Sequence, residues 1–483
     1  MRRPEAMPAA ATAGSRRSGS SQLRRSEVAD DGGVLILALL VLTLCFATGG
    51  SSTQTGLGIM LAELLALPLL AYALWRVWQR QRMARARWAL IVALAIACLP
   101  LLQLFPLPES LWHLSPARVA LREDLAAFGV HDPILRWSLT PAATERNFYA
   151  LLPAIALFLV PLAIRRQSWQ TLLRWIVGLA IFTLLLAFVQ LGMPQDSFVN
   201  PFPEYEPSLS GVFANKNHQA SALAIGLVLA LALLLEAYRD SGRHDRSHTK
   251  QLLYAALVVL LVLVLPLVKS RAGMLISMVA CGMLLLTSGL LSPERWRASR
   301  AARVLAVLAI AVLAVGTWGA FAWMQSEAEL DSSRWDMFTT TLRLGFVNAP
   351  FGSGFGSFVP MFEQATGGSL MRSGYINNAH NEYVQWWFEG GVAAVAAMLA
   401  ALSVLLTAVR RLLQRPESSS TRRTGIAAAC ALLVLLLHST VDYPMRAPAL
   451  MAVAGLLAGI VVATALPEQK QIAAGASAPP FLS

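Results

Sequence analysis

From residue 34 to residue 466 the chain is a succession of apolar runs, each about twenty residues long. A hydrocarbon core about 30 Å thick is crossed by roughly 20 such residues in a helix. In lipid every backbone N–H and C=O must find its partner inside protein, which leaves helices or closed barrels. Barrel strands alternate apolar and polar residues, and these runs do not. The composition agrees: 56% of residues are hydrophobic and 14% charged, against about 25% charged in an ordinary soluble domain. The sequence predicts an all-α polytopic membrane protein. Twelve spans are expected, beginning near Val34, Leu57, Trp88, Phe148, Leu172, Ser221, Leu252, Met274, Val304, Val392, Gly425 and Leu450.

The connecting loops alternate in chemistry. Residues 76–87, 165–174, 239–250, 295–303 and 410–423, with the two termini, hold most of the 39 Lys and Arg. Positive loops stay in the cytoplasm, so both termini are expected there. The other loops, residues 107–147, 192–217, 269–273, 325–389 and 438–448, are expected on the periplasmic face. The largest, 325–389, separates spans nine and ten. This topology accounts for the net charge of +12. It makes membrane lipids the expected partners and nucleic acid an unexpected one. Residues 1–33, rich in Arg, Ala and Ser, are expected to be disordered, and residues 467–483 form a cytoplasmic tail. A cleaved signal peptide at 34–48 would break the loop alternation, so an uncleaved anchor is expected. Cys45, Cys98, Cys281 and Cys430 lie inside apolar runs without metal-ligand spacing and are expected as small core hydrophobes.

Four polar clusters fall on the outer face. The densest, residues 373–391, sets Asn377, Asn378, His380, Asn381, Glu382 and Glu389 directly before an apolar helix. Polar groups placed against a membrane are costly unless used or paired, and a neutral His accepts a proton from a hydroxyl near physiological pH. Asn215, Lys216 and His218 stand at the start of the sixth span, where a helix N-terminus favours an anion; a plain cap with a snorkelling Lys is the alternative. Lys269, Ser270, Arg271 and Gly273 form a short turn whose Arg suits bidentate phosphate binding, or anchoring to lipid phosphates. The large loop adds Arg334, Arg343 and Arg372. Its glycines at 352–356 do not complete a dinucleotide fingerprint and lack a βαβ context. Last come His438 and Asp442, four apart and able to share a helix face, followed by Arg446; a structural helix-end network is the alternative. Neither an HExxH nor a DxD sequence occurs in these loops, so no metal or cofactor is expected.

Taken in order, these motifs resemble the O-antigen ligase and polymerase superfamily. The resemblance rests on Asn215-Lys216-Asn217-His218, Ser270-Arg271-Ala272-Gly273, Pro350-Phe351-Gly352-Ser353-Gly354, His380-Asn381-Glu382-Tyr383 with Glu389 and Gly391, and His438-Ser439-Thr440-Val441-Asp442-Tyr443. It covers roughly residues 34–466 and includes the large loop between spans nine and ten. Lys216 is a departure, since many relatives carry Arg there. The resemblance implies a catalytic His, which maps to His380, and an essential Arg, which maps to Arg271. It implies a membrane glycosyltransferase at the periplasmic face of a bacterial inner membrane. That enzyme would transfer or polymerise oligosaccharide from undecaprenyl diphosphate onto a glycan or lipid A-core hydroxyl, with inversion and without metal. Lys216, Arg271, Arg334, Arg343 and Arg372 would hold the donor diphosphate. His380 would activate the acceptor, with Glu382 or Glu389 fixing its imidazole. Asn215, His218, Asn381, His438, Asp442 and Arg446 would support them. Ligase, polymerase and protein transferase share these motifs; protein transferases often carry a further C-terminal soluble domain, which makes that reading the less expected. A transporter or flippase is the competing class. It would place ionisable groups near mid-span, where only Glu63 and Glu236 are candidates.

Overall fold

The computed structural model describes residues 14–52, 56–203, 209–239, 247–289, 328–367 and 376–467, excluding the side chains of residues 14–30, 247 and 328–333. Among these residues the only β pairing is one antiparallel bridge between Pro106 and Arg136. The helices are α1 (Gly14–Thr48), α2 (Leu57–Gln79), α3 (Arg87–Gln103), α4 (Glu109–Trp112), α5 (Pro116–Ala127), α6 (Pro141–Ala163), α7 (Arg166–Leu191), α8 (Lys216–Arg239), α9 (Ser247–Val264), α10 (Arg271–Thr287), α11 (Ala328–Val347), α12 (Phe358–Thr366), α13 (Glu382–Leu413), α14 (Ser420–His438) and α15 (Pro448–Ala465). Among the described residues nine of them, α1, α2, α6, α7, α8, α9, α13, α14 and α15, have segments long and apolar enough to cross a bilayer; α3 and α10 are apolar but shorter. The span expected near Val304 lies outside the described residues, as do residues 1–13, Arg372 and residues 468–483. Residues 14–33, expected without structure, continue α1 as helix. A polar stretch that extends an existing helix escapes the cost of nucleation.

Small residues set the closest packing. α15 lies against α6, and a Cβ on Gly455 or Gly459 would collide with the carbonyls of Ala154 or Phe158. Two glycines four apart let helix backbones touch where lipid offers no hydrophobic drive. α6 also receives α2, and α8 packs against α7, α9, α10 and α14. Pro153 and Pro161 sit inside α6. Its last carbonyls are met from outside: Arg82 donates to Pro161, Leu162 and Ile164 at 3.3, 2.8 and 3.3 Å, and Trp169 Nε1 to Pro161 at 3.1 Å.

The two loop sets occupy opposite ends of the bundle. At the basic end Asp31 bonds to Arg76 at 3.0 Å and Arg80 at 2.6 Å, and Arg423 takes Glu236 with two bonds of 2.5 and 2.6 Å. Glu236 is therefore an end residue with a partner. Glu63, on α2, lies within charge range of Arg146 on α6, the helix α2 packs against.

At the other end one buried guanidinium joins two loops. Arg118 of α5 is fully buried. It donates to the carbonyls of Arg136 at 3.2 Å, Gly352 at 2.7 Å and Trp137, and stacks 4.7 Å over Trp112. Burial pushes its pKa down to about 10. The turn at Pro350–Gly354 that it grips fits into a break in α13. Gly391 there has φ 60° and ψ −149°, a conformation essentially reserved for glycine, and a Cβ would collide with the Pro350 carbonyl. The residues before the break form a separate short helical segment, which carries the loop's polar residues into the bundle.

Replacing Arg118 by Ala strands three carbonyls, each worth roughly 1–3 kcal/mol when buried and unpaired. We expect thermal unfolding of Arg118→Ala in detergent to begin several degrees below wild type, with Arg118→Lys in between. An unchanged melting curve would remove the clamp from this account.

Candidate active site

Each site residue is delivered by a helix end. Asn381 caps α13, its side chain accepting from Val384 N at 3.1 Å, as Asn does at N-caps. Its amide donates to Thr440 O at 2.8 Å, and Glu382 N donates to Ser439 O at 3.0 Å. These bonds lock the start of α13 onto the turn that follows α14. His380, just before the cap, takes a left-handed backbone with φ 50°, uncommon for a side-chain-bearing residue.

The group His380 meets is Asp442. Its Nδ1 lies 3.1 Å from Asp442 Oδ1, and Asn215 Nδ2 donates to the other carboxylate oxygen at 3.2 Å. Asp442 is fully buried. Burial alone would raise its pKa. The hydrogen bond with His380 and the charges of His380, His218 and His438 outweigh that and hold the carboxyl well below its usual range.

From Asn215 the network runs on to the Ser-Arg turn. Asn215 Oδ1 accepts from Asn217 N at 2.8 Å. Ser270 Oγ donates to Asn217 Oδ1 at 2.8 Å and caps α10 by accepting from Gly273 N at 3.2 Å. Arg271, half-buried, is the first residue of α10. Residues separated by more than a hundred positions thus form one hydrogen-bonded chain, Ser270–Asn217–Asn215–Asp442–His380. The N-termini of α8, α10, α13 and α15 all open at this end.

Several expected roles change. The imidazole's carboxylate partner is Asp442; neither Glu382 nor Glu389 reaches it. Glu389 is fully buried and binds Arg446 at 2.7 Å and Gln385 at 3.2 Å, two helical turns below the cap. Glu382 accepts from Ser439 Oγ at 3.3 Å. His438 meets Asp442 through its backbone, Asp442 N donating to His438 O at 2.9 Å, while its ring Nδ1 meets Ser221 Oγ at 2.7 Å. Lys216 is exposed at the start of α8, and Arg343 is exposed on α11. Arg334 is half-buried, within charge range of His438.

Two residues that sequence reasoning passed over matter here. The Tyr443 ring stands between two imidazoles, with centroids 5.0 Å from His218 and 5.0 Å from His380, edge to face with both, and its hydroxyl donates to Asn377 Oδ1 at 3.1 Å. His218 is buried, with the Tyr443 backbone close beside its ring. Gln385 ties Ala379 N, Asn378 and Glu389 together. Its only signal in the sequence is a spacing of four to Glu389.

Residues 256–407 match the family model for O-antigen ligase. That match supports the O-antigen ligase and polymerase superfamily for this segment. No curated protein matches the chain significantly. The ligase segment includes Arg271, His380, Glu382 and Glu389, while Asn215, His218, His438 and Asp442 lie outside it. The carboxylate that holds the ligase-segment His380 therefore comes from beyond that segment.

Asp442 titrates near 3.9 when unfolded and lower when folded. Its contribution to stability is complete above the unfolded value and is lost only as pH falls toward the folded one. Asp442→Asn weakens bonds to a charged group worth roughly 1.5–3 kcal/mol. It should lower the unfolding midpoint at pH 7, and the gap to wild type should not shrink until the pH is below about 4. A gap that closes between pH 7 and pH 5 would contradict the assignment.

Proposed function

We propose that the protein is a membrane glycosyltransferase that moves oligosaccharide from undecaprenyl diphosphate to an acceptor hydroxyl on a glycan or on lipid A-core. The observation that carries this reading is the His380–Asp442 pair, set where four helix N-termini and the Ser270-Arg271 turn converge. The basic opposite end of the bundle supports a cytoplasmic placement for that end by the distribution of Lys and Arg, and so a periplasmic site.

The geometry supports the following chemistry. With Nδ1–H donated to Asp442, the lone pair of His380 is on Nε2. The imidazole side chain is 22% exposed, enough to meet an acceptor while its carboxylate stays dry. The acceptor oxygen attacks the anomeric carbon as its proton passes to Nε2. The bond from that carbon to the diphosphate oxygen breaks on the opposite face, which inverts the centre. Charge then accumulates on the leaving diphosphate. Arg271 and Lys216 sit beside N-terminal backbone dipoles that favour an anion, and such preorganised charge stabilises a transition state without reorganising. Tyr443 keeps the imidazole from rotating away from this alignment.

In vesicles loaded with a polyprenyl-diphosphate oligosaccharide, transfer is read as release of free polyprenyl diphosphate together with glycan product. Loss of a general base typically costs about 10²–10⁴-fold, and that loss is expected for His380→Ala with donor binding retained. Arg271→Ala should fall by roughly 10²–10³-fold and Arg271→Lys should recover part of it. Full transfer by His380→Ala would overturn the mechanism; glycan translocation without diphosphate release would overturn the reaction class.

A further inference from the structure

α7 turns one flank outward for most of its length. Phe182, Leu185 and Val189 follow at steps of three and four residues and are exposed, the lipid-facing stripe of a span. The stripe continues past the helix end. Leu191 and Met193 remain exposed, and Phe198 in the following loop is 94% exposed, the highest value of any large apolar side chain among the described residues. The loop is well tied. Gln190 Nε2 donates to the carbonyls of Val199 and Gly211 at 2.9 Å each, and Asn200 Nδ2 donates to Gln195 O at 2.8 Å. Gln190 belongs to the last turn of α7, so its bond to Val199 holds the neighbouring Phe198 close to the end of the helix.

α3 repeats the pattern. Its exposed stripe ends in Leu102, and Phe105 beyond the helix is also exposed. Residues 103–107 pair antiparallel with 135–138 through Ser138 N to Gln103 O at 2.7 Å, Trp137 N to Phe105 O at 3.0 Å and Leu107 N to Leu135 O at 2.7 Å. Ile134, adjoining this pair, is 70% exposed.

We propose that these two loops are inserted into the membrane interface at the site-bearing end, with Phe198 and Ile134 at the boundary of acyl chains and headgroups. The occupant is lipid because each patch continues a lipid-facing stripe of its own helix. The backbone bonds above are made within the loops, so insertion leaves those donors and acceptors paired, the condition lipid imposes on irregular backbone. Among the described residues, the charged side chains nearest the two apolar tips are Asp196 beside Phe198 and the exposed Asp132 and Arg136 on either side of Ile134, each able to reach the headgroup layer. Anchoring also has a consequence for the site. Gln190 at the end of α7 donates to the Gly211 carbonyl, four residues before Asn215, and Gln103 donates to the Glu389 carbonyl at 3.0 Å, so the depth of these loops bears on the depth of His380 relative to the bilayer.

The test is nitroxide labelling of Phe198→Cys and Ile134→Cys in a background with the four native cysteines changed to alanine, in vesicles of phosphatidylethanolamine and phosphatidylglycerol. Leu185→Cys is the lipid-facing reference and Glu123→Cys the aqueous one. Collision with oxygen is compared with collision with a water-soluble nickel chelate. Labels at 198 and 134 are expected to give oxygen-to-nickel ratios several-fold above that at 123 and close to that at 185. Ratios equal to that at 123 would overturn the proposal, as would spin–spin broadening at 198, which identifies a second copy as the cover. If the cysteine-free chain does not fold, the same labels are read in the chain that keeps Cys45, Cys98, Cys281 and Cys430, with that unsubstituted chain as the blank. The outcome is independent of whether the protein transfers sugar.

Discussion

A carboxylate taken out of water governs the site-bearing end. Burying an ion is expensive unless it is paired and its remaining lone pairs are hydrogen-bonded. Asp442 meets that demand with His380 on one oxygen and Asn215 on the other. Those two residues precede α13 and α8, so satisfying one carboxylate fixes two helix starts against the end of α14. Asn215 and Asn217 then carry the constraint to Ser270 and the start of α10. The convergence of helix N-termini is thus a consequence of charge satisfaction, and the positive ends of their dipoles arrive together.

The break in α13 is the second constraint. Interrupting a helix beside a membrane frees carbonyls that lipid cannot satisfy. Here Phe388 O accepts from Ser353 N at 3.0 Å, while Glu389 O accepts from Gly354 N at 2.8 Å and from Gln103 at 3.0 Å. Pro350 O in turn accepts from Val392 N at 2.9 Å. The Gly-rich turn is therefore a patch of backbone donors fitted to the kink, and its glycines serve close approach between two chains. Arg118 holds the same turn from its other side. A rigid seat results, and the short helical segment before Gly391 can present Glu389 to Arg446 while its cap presents His380 to Asp442.

Much of the fold was legible because a span needs only local composition. The separation of basic and polar loops was legible too, since each loop's chemistry is written within it. What sequence could not supply is pairing over long separations. Asn215 and Asp442, or Arg118 and Gly352, meet only because helices pack, and no local pattern announces them. Spacing rules misled where an element ended sooner than supposed. His438 and Asp442 are four apart, but α14 stops at His438, so Asp442 belongs to a turn and faces another partner. Proximity in sequence misled likewise for Glu382 and Glu389, because a helical segment carries each away from the residue that precedes it. Tyr443, Gln385 and Gln103 are single polar residues among apolar neighbours, and their roles depend on what lies across from them.

The same accounting bears on where a diphosphate's charge can be met. Arg446 is engaged by Glu389, whose carboxylate is fully buried, so that cation's charge is already offset. Arg343 is exposed on α11 and forms no part of the chain from Ser270 to His380. Among the described residues, Arg271 and Lys216 stand at the starts of α10 and α8, whose N-termini are each equivalent to roughly half a unit charge, and Arg334 lies within charge range of His438. Lys216 contributes a point charge without the planar fork of Arg. Beside fixed backbone donors, orientation of an anion does not depend on that fork: the N–H groups supply direction and the ammonium supplies charge. A Lys at this position is therefore compatible with diphosphate binding, provided the Asn215–Asn217–Ser270 chain keeps the two helix starts together.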